Sequence, residues 1–216
     1  MVRASLLILI CFGALAGPGL ATAEPVGRPG DLDWAADTPL QWADFQGSAD
    51  SSVSADRVAM TAASLTWGYS YVLERGNGRC VYRIDSVDVR AIFNRQDSWI
   101  RPGHLTERVL EHEQGHFDIT QLYKLKLEAL TRDLVGVRRP CQGESVEAAS
   151  SYAEREAGRA VSDVADKIWS EHVAAQEAYD DQTRHGTERD AQRAWLEAIG
   201  RGVISQGWNA IADRLD

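Results

Sequence analysis

The 216-residue sequence predicts an α+β fold in which a small antiparallel sheet precedes a mainly helical half. Three observations carry this reading. Between residues 58 and 93, apolar and polar side chains alternate on either side of Asn77-Gly78, a pair favoured in tight hairpin turns. From Leu105 the apolar period lengthens to three and four residues, as in a helix buried along one face. That period recurs in two later segments, 145–178 and 187–199.

Taken in order, residues 1–23 read as an export signal. Arg3 is followed by an apolar run over 6–16 and by Ala21-Thr22-Ala23, small residues suited to a cleavage point. The run is shorter than the roughly 20 residues needed to span a bilayer. Cys11 follows Ile10, whereas a lipid-modified cysteine follows a small residue. Residues 24–39, rich in Pro, Gly and Asp, are expected to form a flexible lead, and 40–216 a single domain with one core. Leu40-Gln41-Trp42-Ala43-Asp44-Phe45 alternates like a half-buried strand.

In the hairpin, Leu65, Trp67, Tyr69, Tyr71 and Leu73 share one parity. In the return strand Tyr82 and Ile84 give way to Val87, Val89, Ala91 and Phe93, so a bulge is expected near Asp85-Ser86. Residues 87–93 are the expected free edge. The first helix carries Leu105, Val109, His112, His116, Tyr123, Leu127, Leu130 and Leu134, and ends before Pro140. The second carries Val146, Ala149, Ala153, Ala157, Val161, Val164, Ile168 and Ala175. The third opens with Thr187 and Asp190 as a capping pair. Trp67, Trp169 and Trp195 fall on core stripes.

Charge excludes one class of function. Without residues 1–23 the chain has 22 basic and 32 acidic groups, about −10, which gives no electrostatic basis for nucleic-acid binding. No second apolar stretch approaches membrane length, and nothing in the sequence defines an oligomeric state. Cys80 and Cys141 remain after export, and an even count in an exported chain favours one structural disulfide enclosing the first helix.

The chemistry concentrates in His112-Glu113-Gln114-Gly115-His116. Histidines four apart project from one helix face and reach one ion at about 2.0–2.1 Å. Glu113 lies beside that ion, suited to act as general base on a water. Gly115, mid-helix, costs about 1 kcal/mol relative to alanine, which implies a packing or site requirement. A catalytic zinc needs a third protein ligand. A third histidine of the metzincin type would fall at Leu122, so the candidates are Glu147, Glu154, Glu156, His172 and His185. Tyr179 and Tyr152 are candidate oxyanion donors, although each also suits a packed aromatic. Asp118 and Asp180 are candidate acceptors for ligand imidazoles. His104, just ahead of the helix, suits a cap-region residue better than a ligand.

Four blocks, Leu40-x-Trp42-x-Asp44-Phe45-x-Gly47, Ser98-Trp99, Leu110-x-His112-Glu113-Gln114-Gly115-His116-Phe117-Asp118 and Tyr179-Asp180-x-x-Thr183-x-His185-Gly186, resemble the bacterial secreted zinc-dependent protease family catalogued as domain of unknown function 922. The resemblance spans about residues 40–200. It implies a zincin-like metallopeptidase, secreted or periplasmic, with Zn2+ as cofactor and a peptide or protein as substrate. It favours His185 as third ligand beside His112 and His116; Glu113 and Tyr179 stand as the candidate catalytic residues read from the motif and the chain. Two other readings stay open: an exported binding or envelope-associated protein that keeps a structural or relic zinc site, and a zinc hydrolase of non-peptide amides.

Overall fold

The computed structural model describes residues 20–23, 28–49, 53, 57–76 and 79–215. The expected export signal, apart from the backbone of 20–23, lies outside the described residues, as do Asn77 and Gly78. In chain order the elements are β1 (Leu20–Ala23), β2 (Leu32–Asp33), a 3-10 helix (Trp42–Asp44), β3 (Ala59–Met60), β4 (Ala63–Gly76), β5 (Arg79–Phe93) and β6 (Trp99–Ile100). The helical half follows with α1 (Glu107–Thr131), a 3-10 turn (Arg132–Leu134), β7 (Arg139–Pro140), α2 (Val146–Thr183), α3 (Arg189–Ser205) and a last 3-10 helix (Trp208–Arg214). The class is α+β, as the sequence predicts.

The hairpin of β4 and β5 dominates the sheet, whose strand order is β1-β4-β5-β2 with β7 also on β5. Gly76 pairs with Arg79, so two residues connect the strands. The register slips between Ser70↔Ser86 and Tyr71↔Ile84, leaving Asp85 as the extra residue of a bulge where the apolar parity changes. Cys80 and Cys141 form a disulfide that ties the start of β5 to the segment before α2.

Three sequence expectations give way. Leu40-Phe45 is not a strand. The Gln41 backbone N–H donates to the Asp44 carboxylate (2.7 Å), which closes a 3-10 turn over a stretch too short for alternation to decide. Residues 28–39 are not a flexible lead throughout. Leu32 and Asp33 pair with Phe93 and Ile92, and the Trp34 indole donates to Asp118 (2.7 Å). Residues 87–93 are not a free edge. They pair with β4 along their whole length and with β2 at the far end, and Val89, Ala91, Ile92 and Phe93 are buried.

The helices start at built caps: Thr106 and Ser145 accept from Val109 and Ala148 backbone N–H groups. Glu188, rather than the expected Thr187, precedes α3, because Thr187 donates its hydroxyl to the Arg184 carbonyl. The core falls into three clusters. Ile119, Leu122, Leu127, Ile168, Trp195 and Ile199 hold the helices together. Ala153, Ala157 and Val161 of α2 meet Tyr71, Tyr82 and Ile84 of the sheet. Phe45, Phe93 and Phe117 pack beneath the N-terminal segment. Trp195 is fully buried, but Trp169 is 43 % exposed and leaves the predicted stripe.

Candidate metal centre

The site forms where the second and third turns of α1 meet the last turns of α2 and the first turn of α3. Helical spacing puts His112 and His116 on one face of α1, with their Nε2 atoms 3.2 Å apart. The end of α2 brings Asp180 against both: its Oδ1 lies 3.1 Å from His112 Nε2 and 3.0 Å from His116 Nε2. His185 arrives from the turn beyond α2, with Nδ1 3.1 Å from the same oxygen. The other carboxylate oxygen, Oδ2, lies 3.5 Å from the Arg57 guanidinium.

Three side chains determine which ring nitrogens face inward. The Tyr179 hydroxyl donates to the His112 carbonyl (3.3 Å), so it must accept from the Gln192 amide NH2 (2.6 Å). That turns the Gln192 Oε1 toward His112 Nδ1 (3.0 Å), which carries the proton. In the same way Gln176 donates its NH2 to the His116 carbonyl (2.9 Å) and presents Oε1 to His116 Nδ1 (2.6 Å). A neutral ring protonated at Nδ1 has its lone pair at Nε2. Two lone pairs and a carboxylate oxygen therefore point at one another. Only a proton or a cation makes that arrangement favourable.

The electrostatics express the same conflict. Burial works to raise the Asp180 carboxyl, yet the hydrogen bonds and charges of His112 and His116 hold it well below the usual carboxylate range. Burial opposes protonation of His116, but Asp180 and the nearby Glu113 charge prevail and raise it. His172, also at this end of α2, behaves differently. Burial and the His116 charge push it down to about 3, so it stays neutral. Its Nε2 is engaged by Thr120 and Gln176, which leaves it outside the donor cluster.

The donor set fits a zinc-type ion: imidazole nitrogens and a carboxylate oxygen converge, with outer partners fixing both rings on α1. Glu113 adds a second indication. It is 4 % exposed, lines the same cavity of about 210 Å³, and its Oε2 has no hydrogen-bond partner among the described residues. A buried, unpaired carboxylate oxygen is expensive to keep unless something in the cavity meets it.

The glycines of the two histidine motifs are explained by contact. A Cβ at Gly115 would collide with the Tyr179 hydroxyl, so glycine lets that ring lie against α1 and stack on His112, centroids 4.7 Å apart. Gly186 has φ +76, and a Cβ there would approach His112 Cβ to 3.0 Å. Thr183 ties the turn by donating to the Tyr179 carbonyl (2.6 Å) and accepting from the Gly186 N–H (3.2 Å).

Thus His112, His116, Glu113 and His185 come together as expected, and Asp180 joins them on the inner side of the rings. Tyr179 does not serve as an oxyanion donor. It is fully buried behind His112, and both of its hydroxyl bonds are internal. Glu147, Glu154 and Glu156 lie toward the far end of α2. Glu154 is 26 residues before Asp180, roughly 39 Å along the helix axis. Asp118 serves the N-terminal segment, accepting from Trp34 and Gln114 rather than from an imidazole. Gln176 and Gln192 carry no sequence motif. For Gln176 the one available signal is a polar residue on a stripe that is otherwise buried.

The fold and this cluster define an α+β protein with a part-buried histidine–carboxylate centre. Residues 36–186 match the model of the bacterial protein family of unknown function DUF922, and the chain belongs to that family. No curated protein and no solved structure matches the chain. Among the described residues, no helix is long and apolar enough to cross a membrane.

Proposed function

We propose that this protein is an exported, zincin-like hydrolase of peptide bonds, with His112, His116 and His185 holding Zn2+ and Glu113 as general base. The observation that carries the reading is the pair of glutamines whose Oε1 atoms accept from Nδ1–H of both rings and leave both Nε2 lone pairs facing one point. A bound zinc ion would supply Lewis acidity and bring a coordinated water's pKa toward 7. Glu113 accepts the proton from the attacking water on its unpaired oxygen and returns it to the departing amine. His112 and His116 are held by Gln192 and Gln176, so the donors need not reorganise on loading. Residues 57–61 line the cavity, and β3 within them is the strand to which an extended substrate would add. Residues 1–23 support export.

The test combines metal analysis of the purified protein with hydrolysis of an unstructured protein substrate. Chelation abolishes turnover and zinc restores it. Glu113→Gln keeps stoichiometric zinc and loses at least about a hundredfold in rate, within the usual range for a general base. Undiminished hydrolysis by that variant refutes the mechanism. The position of Asp180 favours a second reading, a structural zinc in an exported binding protein. Zinc retention without hydrolysis of peptide or other amide substrates would support it.

A further inference from the structure

Resting on the zinc reading above, we propose that Asp180 is a fourth protein ligand which closes the centre at rest, so that turnover requires its carboxylate to withdraw. Bonds of about 2.0–2.1 Å in a tetrahedral site place donor atoms roughly 3.3 Å apart. Asp180 Oδ1 stands 3.1, 3.0 and 3.1 Å from the facing nitrogens of His112, His116 and His185, and the two Nε2 atoms are 3.2 Å apart. Four donor separations thus match the edge of such a tetrahedron, and His112, Asp180 and His185 each present a donor atom within 4.8 Å of the others.

An acceptor that merely oriented a ligand imidazole would meet its outer nitrogen. Those places are already taken by Gln192 and Gln176. Asp180 therefore lies on the side where the ion would sit. It also comes from the same turn as His185, whose backbone N–H donates to the Asp180 carbonyl (2.9 Å), so the two donors form one unit. A withdrawing carboxylate has a destination: its Oδ2 already faces Arg57, a half-exposed cation on the cavity wall. Glu113 lines the same cavity with an unpaired carboxylate oxygen, available to a water that enters it.

Cobalt(II) substitution of the purified full chain tests this without relying on turnover. The wild-type protein is expected to bind one cobalt and give a visible spectrum that does not change with azide, because no exchangeable position exists. Asp180→Ala is expected to bind cobalt roughly tenfold or more weakly and to shift its spectrum on azide addition. Should that variant fail to fold, as judged by thermal unfolding, Asp180→Asn removes the charge at nearly constant shape and offers the same comparison. An azide-sensitive wild type, or a variant matching it in affinity and spectrum, overturns the assignment of Asp180 alone. Failure of the wild-type chain to take up either cobalt or zinc overturns the proposed function as well.

Discussion

The two halves of α2 use one buried stripe for opposite purposes. Toward its start, Ala149, Ala153, Ala157 and Val161 are fully buried against the sheet, where small side chains let Tyr69 and Tyr71 reach the helix backbone. Toward its end the same stripe carries His172, Tyr179 and Thr183 buried, with Gln176 and Asp180 beside them. The periodicity is unchanged and only the chemistry differs. Burying polar groups is unfavourable unless each is matched, and here nearly all are matched to one another around a single point. The difference separates a sheet end that holds the fold from a far end whose polar groups converge where the proposed metal would sit.

If so, the two ends should fail separately. The largest expected effect lies at the sheet end. Replacing both Cys80 and Cys141 by serine opens a 61-residue loop and should lower stability by about 4 kcal/mol in the chain-entropy account, measured by urea unfolding. Metal stoichiometry of the fraction that remains folded should not change. Next, Ala157→Leu overpacks the contact with the hairpin and should lower stability by about 2–3 kcal/mol, again without loss of metal. A parallel loss of metal affinity in either variant would show that the halves are coupled. At the site end, Gln176→Leu and Gln192→Leu each release a ring and should weaken metal binding about 10–100-fold, read by competition with a chromophoric chelator.

The smallest effect is a pH dependence. His172 is neutral when folded, with its pKa pushed from 6.5 to about 3, whereas the unfolded chain takes up that proton below 6.5. Its contribution is complete above pH 6.5 and declines as pH falls toward 3. Between pH 8 and pH 6 this amounts to about 1 kcal/mol, and His172→Gln should remove that component from the urea midpoint. An unchanged slope in the variant would show that His172 is not neutral in the fold.

How legible these features were follows from how local they are. The hairpin and its bulge could be read because strand pleat forces period-two alternation, and the change of parity at Asp85 recorded the extra residue. His112, Glu113 and His116 could be read because helix geometry alone puts two imidazoles on one face. Gly115 announced a requirement without naming Tyr179 as its cause. The rest depends on tertiary docking. Glutamine carries no motif, so the roles of Gln176 and Gln192 appear only once α2 and α3 pack on α1. Asp180 was visible as a carboxylate, but the side of the imidazoles it occupies is set by the crossing of two helices. The family blocks also divide. Gln114 and Asp118 pin Leu40 and Trp34, and Asp44 pairs with Arg95, so much of the pattern serves the N-terminal segment rather than the centre.

The turn after α2 shows how such a centre is built. Arg184, His185 and Gly186 all adopt positive φ, and the chain reverses so tightly that the fifth residue after Asp180 returns to its carbonyl. A carboxylate and an imidazole are thereby delivered as a two-pronged clip whose span is set by backbone handedness rather than by side-chain packing. Such a clip tolerates changes of side chain more readily than changes of length: one inserted residue would point the second prong elsewhere while leaving every helix intact.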